Sequence, residues 1–192
     1  MDRKDYLVLV NKDNRIPDDW ENRVELVELK NVFNRTVKVE KETLEKYYEL
    51  RDSLLKDWID IELDSAYRSL EKQHDLREDM EEKYGVEYAW KYAAVPWYSE
   101  HHTWLALDIC IKKGEKLIHE NHEMIVECEI FEKIHAKMVD YGFIIRYPEW
   151  REDITGFEYE PWHLRYLWDV SIAKEITWNW LTLEEYLEQK NK

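Results

Sequence analysis

Two histidines, an aspartate and a glutamate, split between two short stretches, carry the most chemistry in this chain. His101 and Asp108 fall in residues 99–108, SEHHTWLALD, and Glu160 and His163 fall in residues 160–165, EPWHLR. Imidazole nitrogen and carboxylate oxygen are favoured zinc donors, and a catalytic zinc site keeps three protein ligands with a fourth position open to water. His101, Asp108 and His163 would fill the three places. Glu160 would be left over to take a proton from the attacking water.

The elements around these residues must bring them to one point. Asp108 interrupts the apolar run LALDICI over residues 105–111, which predicts a buried strand. A carboxylate inside such a run is costly unless it is paired or bound to metal. His101 lies in the turn-like approach to that strand. In EPWHLRYLW, Trp162, Leu164 and Tyr166 alternate with His163 and Arg165. This predicts a strand with one apolar and one polar face, with His163 on the polar one. Glu160 stands beside Pro161, where the chain turns in.

The pattern SxHxxWxAxD followed by EPWHxRY resembles the zinc D-alanyl-D-alanine peptidases, which include vancomycin-resistance carboxypeptidases and dipeptidases and share a fold with lysostaphin-type enzymes and the hedgehog signalling domain. The likeness takes in residues 10–14 (VNKDN), 65–69 (SAYRS) with Gln73, 141–143 (YGF) and 146–148 (RYP), and so covers nearly the whole chain. It implies an α+β fold with a mainly antiparallel sheet, a bound Zn2+, and Glu160 as the general base. It also implies that Ser99, Gln73, Tyr147 and Trp162 shape the pocket for a C-terminal residue. Arg68, at a strand end beside the site, has a fork suited to a substrate carboxylate or a developing oxyanion. The implied partner is a peptide ending in D-Ala-D-Ala, either the free dipeptide or a peptidoglycan stem peptide. Two rivals stay open: an L,D-carboxypeptidase or endolysin-like peptidase, and a zinc-stabilised binding module.

Composition bounds these readings. A chain of 192 residues with 44% hydrophobic and 14% aromatic residues suits one globular domain over 1–192. A formal charge of -15 argues against nucleic acid, whose phosphates need a basic face. An anionic substrate would need a local cluster of cations, with Arg68, Arg146 and Arg165 as candidates. The two cysteines, Cys110 and Cys128, suggest no disulfide framework. The longest early apolar run, residues 7–10, is too short for a signal segment or a membrane span. This predicts a cytoplasmic protein, although an exported domain trimmed of its anchor would look the same.

Elsewhere, residues 6–10 read as a short strand, and residues 24–38 as extended segments with turns near Asn31 and Asn34. Residues 40–56 read as an amphipathic helix, 59–64 as a half-buried strand, and 69–84 as a helix stopped by Gly85. A hairpin is expected around Gly114, a helix over 122–141 capped by Gly142, a strand over 143–145, a loop over 149–156, and closing helices over 170–177 and 182–188. His74, His102, His119, His122 and His135 read as packed or surface residues.

The chain has ten tryptophans against four glycines, although glycine averages about 7% of residues. The resemblance expects glycine at Trp104, and also at Trp58, Trp97, Trp150, Trp168 and Trp180. Tryptophan is a poor substitute where a backbone needs positive φ or close approach. Two readings stay open: UGA codons that the cell reads as glycine, or genuine tryptophans, of which Trp104 would crowd the metal site.

Overall fold

The chain alternates short strands with helices, and a computed structural model describes residues 2–191 of it. Met1 and Lys192, the ends of the expected span, lie outside the described residues. In chain order, a hairpin of β1 (Leu26–Lys30) and β2 (Thr36–Glu40) precedes α1 (Lys41–Leu55), β3 (Asp60–Ser65), α2 (Leu70–Tyr84) and α3 (Val86–Tyr92). Then come β4 (Ala106–Lys113), β5 (Lys116–Ile118), α4 (Asn121–Met124), α5 (Cys128–Met138) and β6 (Phe143–Ile145). The chain closes with α6 (Glu152–Thr155), β7 (His163–Tyr166), α7 (Val170–Trp178) and α8 (Leu183–Lys190).

The main sheet is antiparallel in the order β3-β4-β7-β6, with β5 also paired to β4. The expected α+β class with a mainly antiparallel sheet is therefore what forms. Side chains alternate across a sheet. Leu107, Ile109 and Ile111 of β4 and Leu164 and Tyr166 of β7 thus enter one core, with Leu50 and Leu54 of α1 and Phe131 and Ile134 of α5. Asp108, His163 and Arg165 fall on the opposite face. That polar face is largely covered, since all four residues of β7 are buried. A second cluster joins Ile144 of β6 to Ala173 and Ile176 of α7 and Leu183 and Tyr186 of α8.

Local chemistry explains most boundaries. The Glu40 carboxylate caps α1 by accepting from the Glu42 and Thr43 amides. Ser69 caps α2 in the same way, and α8 starts on a full capping box between Thr182 and Glu185. The strand expected over residues 6–10 does not form. Arg3–Leu7 is a 3-10 helix, and the Tyr6 and Val8 carbonyls accept from the Arg165 guanidinium in place of a neighbouring strand. The helix expected over 122–141 is split: Ile125, Val126 and Glu127 separate α4 from α5, and a 3-10 turn (Val139–Tyr141) leads to Gly142. Adjacent β-branched side chains disfavour helix continuation at that break. The expected loop over 149–156 contains the single turn of α6. Both cysteines are free, Cys110 buried and Cys128 exposed. Among the described residues, no helix is long and apolar enough to cross a membrane.

Trp58, Trp97, Trp104, Trp150, Trp168 and Trp180 all hold left-handed backbone, with φ between 55° and 79°. These are the six positions at which the resemblance expects glycine. A bulky residue held there costs roughly 1–3 kcal/mol. Six such residues would cost on the order of the 5–15 kcal/mol that separates folded from unfolded domains.

Gly142 ends the 3-10 turn at φ 81°, and a Cβ there would lie 3.0 Å from the Tyr166 ring and 3.5 Å from the Trp168 carbonyl oxygen. Gly142→Ala is expected to destabilise the protein by about 1–3 kcal/mol in urea unfolding, through backbone strain and contact with β7. An unchanged midpoint would contradict this account of the turn.

Candidate active site

Strand register assembles half of the site. Asp108 of β4 stands directly opposite His163 of β7, and side chains of such a pair project from one face within contact range. His101 arrives from the other direction, on the 3-10 turn Glu100–Thr103, which Ser99 caps by accepting from the His101 amide. Trp104, in left-handed backbone, ends that turn and redirects the chain into β4. The result places His101 Nε2 3.1 Å from Asp108 Oδ2 and His163 Nδ1 3.1 Å from Asp108 Oδ1. One donor atom from each of the three lies within 4.8 Å of the others, in the only such metal-competent group of His, Cys, Asp and Glu among the described residues.

The outer nitrogen of each ring is committed elsewhere. His101 Nδ1 lies 2.6 Å from the Ala66 carbonyl oxygen, which can only accept, so this nitrogen carries the proton and Nε2 faces Asp108. His163 Nε2 lies 3.4 Å from the Glu100 carboxylate, which likewise accepts and leaves Nδ1 toward Asp108. Such outer partners orient metal-binding imidazoles and fix their tautomers. Asp108 Oδ1 is buried and accepts no hydrogen bond from a described residue. A carboxylate oxygen left bare between two inward-facing imidazole nitrogens suits a divalent cation, and the N,O donor set suits zinc.

Glu100 is the anchor behind this arrangement. Its carboxylate, wholly buried, receives Arg146 at 2.7 Å and Arg165 at 2.5 Å. Arg146 also forks onto Glu184 at 2.6 and 3.0 Å, and Glu184 accepts from Asn11. Burial works against the charge on Glu100, but Arg165 and Arg146 outweigh it and hold the carboxyl well below its usual range. Burial also disfavours a charged His163, yet the adjacent Asp108 and Glu100 carboxylates prevail and raise it to about 9 in the metal-free protein. Burial lowers His101 despite the opposing pull of Asp108.

The remaining expected residues surround a cavity of about 320 Å³. Glu160 and Arg68 line it, as do Ser99, Tyr147 and Trp162. The Glu160 carboxylate lies 3.7 Å from His163 Nδ1. Burial, with Asp108 nearby, pushes it up to about 8 against the opposing pull of His163 and Arg68. Arg68 reaches to 3.6 Å from Asp108 Oδ2 and donates to Gln73 Oε1 at 3.0 Å. Gln73 itself is fully buried behind Arg68, where it also donates to the Ala94 carbonyl, and it does not line the cavity.

Two expectations are corrected. Arg146 and Arg165 cannot form a cationic patch for substrate, because both are wholly buried on Glu100. Trp104 does not crowd the metal-competent group. Its ring stacks on Tyr67 at 4.5 Å, within the core and away from the cavity lining. His135 is a packed residue, as expected, and it donates to the Pro161 carbonyl at 2.9 Å, which pins the turn between Glu160 and His163. His102 does point away from the group, donating to the Arg68 carbonyl and accepting from the Trp97 amide. The signal that could have found Glu100 was its place beside His101; among the described residues Arg146 and Arg165 are the only buried lysine or arginine side chains, and both meet it.

Residues 36–169 match the family model described as VanY: D-alanyl-D-alanine carboxypeptidase. The chain belongs to the VanY family. YodJ of Bacillus subtilis (strain 168) is 33% identical over 98% of this chain and 69% of its own length. The bifunctional D-Ala-D-Ala dipeptidase and carboxypeptidase VanXYC of Enterococcus gallinarum is 39% identical over 66% of each. The chain thus spans about two thirds of the length of these relatives. Among solved structures, the VanY D,D-pentapeptidase of a VanB-type resistance cassette, in complex with Zn(II), superimposes with a TM-score of 0.81 at 29% identity, covering 95% of this chain and 99% of that one. VanYB in complex with D-alanine-D-alanine gives 0.80 at 30% identity, over 95% and 97%. The LdcB LD-carboxypeptidase gives 0.77 at 33% identity, over 98% and 88%.

Two outcomes test this geometry. In the metal-free protein His163 holds a proton below about pH 9, and that proton must leave when Nδ1 takes a cation. Zinc affinity is therefore expected to rise as pH rises toward 9, by about tenfold per unit, which calorimetric titration at several pH values would check. Glu100→Gln keeps the shape but weakens the outer bond to His163, and it is expected to lower zinc affinity by roughly 10–100-fold. Zinc affinity indifferent to both would contradict the ligand assignment.

Proposed function

We propose that this protein is a zinc-dependent carboxypeptidase that hydrolyses the peptide bond before a C-terminal D-alanine, acting on a D-Ala-D-Ala dipeptide or a peptidoglycan stem peptide. One observation carries the reading. Two imidazole nitrogens and a carboxylate converge on one point, while a second carboxylate, Glu160, stands outside that group and faces the same cavity. His101, Asp108 and His163 would hold the zinc, which when bound supplies Lewis acidity toward the scissile carbonyl and its water. Glu160 takes a proton from the attacking water and returns it to the leaving amine, so that water adds across the bond and two new termini form. In the metal-free protein burial raises its carboxyl to about 8, so it holds a proton far more readily than an ordinary carboxylate, as a group that returns one to the leaving amine must. Arg68, with Gln73 behind it, offers a cationic fork to the developing oxyanion or to the terminal carboxylate. Ser99, Tyr147 and Trp162 form walls for the departing residue.

A second reading is supported by the likeness to LdcB, named as an LD-carboxypeptidase. It keeps the same machinery and changes only the residue before the scissile bond. Zinc-loaded protein should be given the D-Ala-D-Ala dipeptide, a stem pentapeptide ending in D-Ala-D-Ala, and a tetrapeptide ending in L-Lys-D-Ala, with free D-alanine as the readout. Release from either of the first two is expected, release from the tetrapeptide alone would favour LD specificity, and release from none would leave a binding module. Glu160→Gln is expected to lose roughly 10²–10⁴ in kcat while keeping zinc. Arg68→Ala should lose about 10²-fold or more in kcat/KM. A Glu160→Gln enzyme that keeps full activity would overturn its role as base.

A further inference from the structure

We infer that positions 58, 97, 104, 150, 168 and 180 carry glycine in the polypeptide the cell makes, encoded by UGA codons read as glycine. The inference stands on backbone conformation and is independent of the peptidase reading.

The tryptophans sort into two classes. Eleven described residues have positive φ: all four glycines, Asn34, and six of the ten tryptophans. Left-handed backbone is rare outside glycine and asparagine, and for a bulky side chain it is an outlier. The other four tryptophans, Trp20, Trp90, Trp162 and Trp178, are absent from the positive-φ set. They also sit in ordinary surroundings. Trp20 is buried and its indole donates to the Thr103 carbonyl at 3.0 Å. Trp162 lines the cavity, and Trp90 and Trp178 lie within α3 and α7.

The side chains of the six match no common purpose. Trp58, Trp97, Trp150 and Trp180 are 96%, 39%, 80% and 82% exposed. Trp104 is buried, and its indole N–H finds no partner among the described residues, an expensive omission for a donor out of water. What the six share is a backbone task. Residue 58 turns the chain from α1 into β3, and residue 104 turns it from His101 into the strand that carries Asp108. Residue 168 leads out of β7 toward α7, and residue 180 links α7 to α8. These are turns that glycine enters without penalty. One decoding event explains all six together, since UGA differs by a single base from both UGG and GGA. The exchange also gives a chain with ten glycines and four tryptophans, near ordinary usage.

Two measurements test the inference. The first reads the gene's codons at these positions and the peptide masses of protein isolated from cells that carry it; UGA codons and glycine masses are expected. The second compares the tryptophan-bearing chain with the combined variant Trp58→Gly, Trp97→Gly, Trp150→Gly and Trp180→Gly, chosen because these rings are exposed and little packing is lost. Its Tm is expected to rise by roughly 10 °C, whereas Trp20→Gly, at ordinary φ, should lower it. UGG codons, peptides that retain tryptophan, or a combined variant no more stable than the tryptophan-bearing chain would each overturn the inference.

Discussion

The structure turns on a carboxylate placed where none should be comfortable. Asp108 lies mid-strand in an apolar run, opposite His163 and within reach of His101. Two imidazoles alone leave one of its oxygens without a hydrogen bond. A buried charge in that position is tolerable only with compensation, and every neighbouring element is arranged to provide it. β7 brings one ring by register. The capped turn before β4 brings the other. Ala66 and Glu100 occupy the outward nitrogens, so that both inward nitrogens are free to meet a cation.

Glu100 extends this constraint across the chain. Through Arg146, Arg165 and Glu184 it connects the 3-10 turn to β6, β7 and α8, and Arg165 reaches back to the Tyr6 and Val8 carbonyls. Buried ion pairs are weak arguments for stability, because desolvation opposes the attraction. Their better-attested value is in fixing one arrangement. Here the network fixes the rotation of the His163 ring, and a small error in that rotation would move Nδ1 away from the shared point. A hydrophobic substitute of equal volume could hold the helices together but could not orient the imidazole.

The sequence made the core of this site legible because the chemistry is concentrated in two motifs. Asp108 in an apolar run and the alternation around His163 gave both strands and the face each residue occupies. The amphipathic period of α1, the Gly85 stop of α2 and the Thr182–Glu185 start of α8 were legible for the same reason: these signals are local. What escaped depends on distant partners. The segment over residues 6–10 has strand-like composition, yet its carbonyls are satisfied by a guanidinium from residue 165, more than 150 positions away. Arg146 and Arg165 look like surface cations until Glu100 is seen between them. Gln73 and His135 act on Arg68 and Pro161 through contacts that no spacing reveals.

Site geometry here is set as much by residues without chemistry as by those with it. His101 and Asp108 are only seven positions apart, yet one leaves a 3-10 turn and the other lies within a strand. The chain can change direction that sharply because residue 104 adopts left-handed backbone. The same logic applies at residue 168, which leads directly out of β7. The ligands are therefore presented by two strands and one short turn with restricted backbone, not by long flexible loops. That is a means of preorganisation.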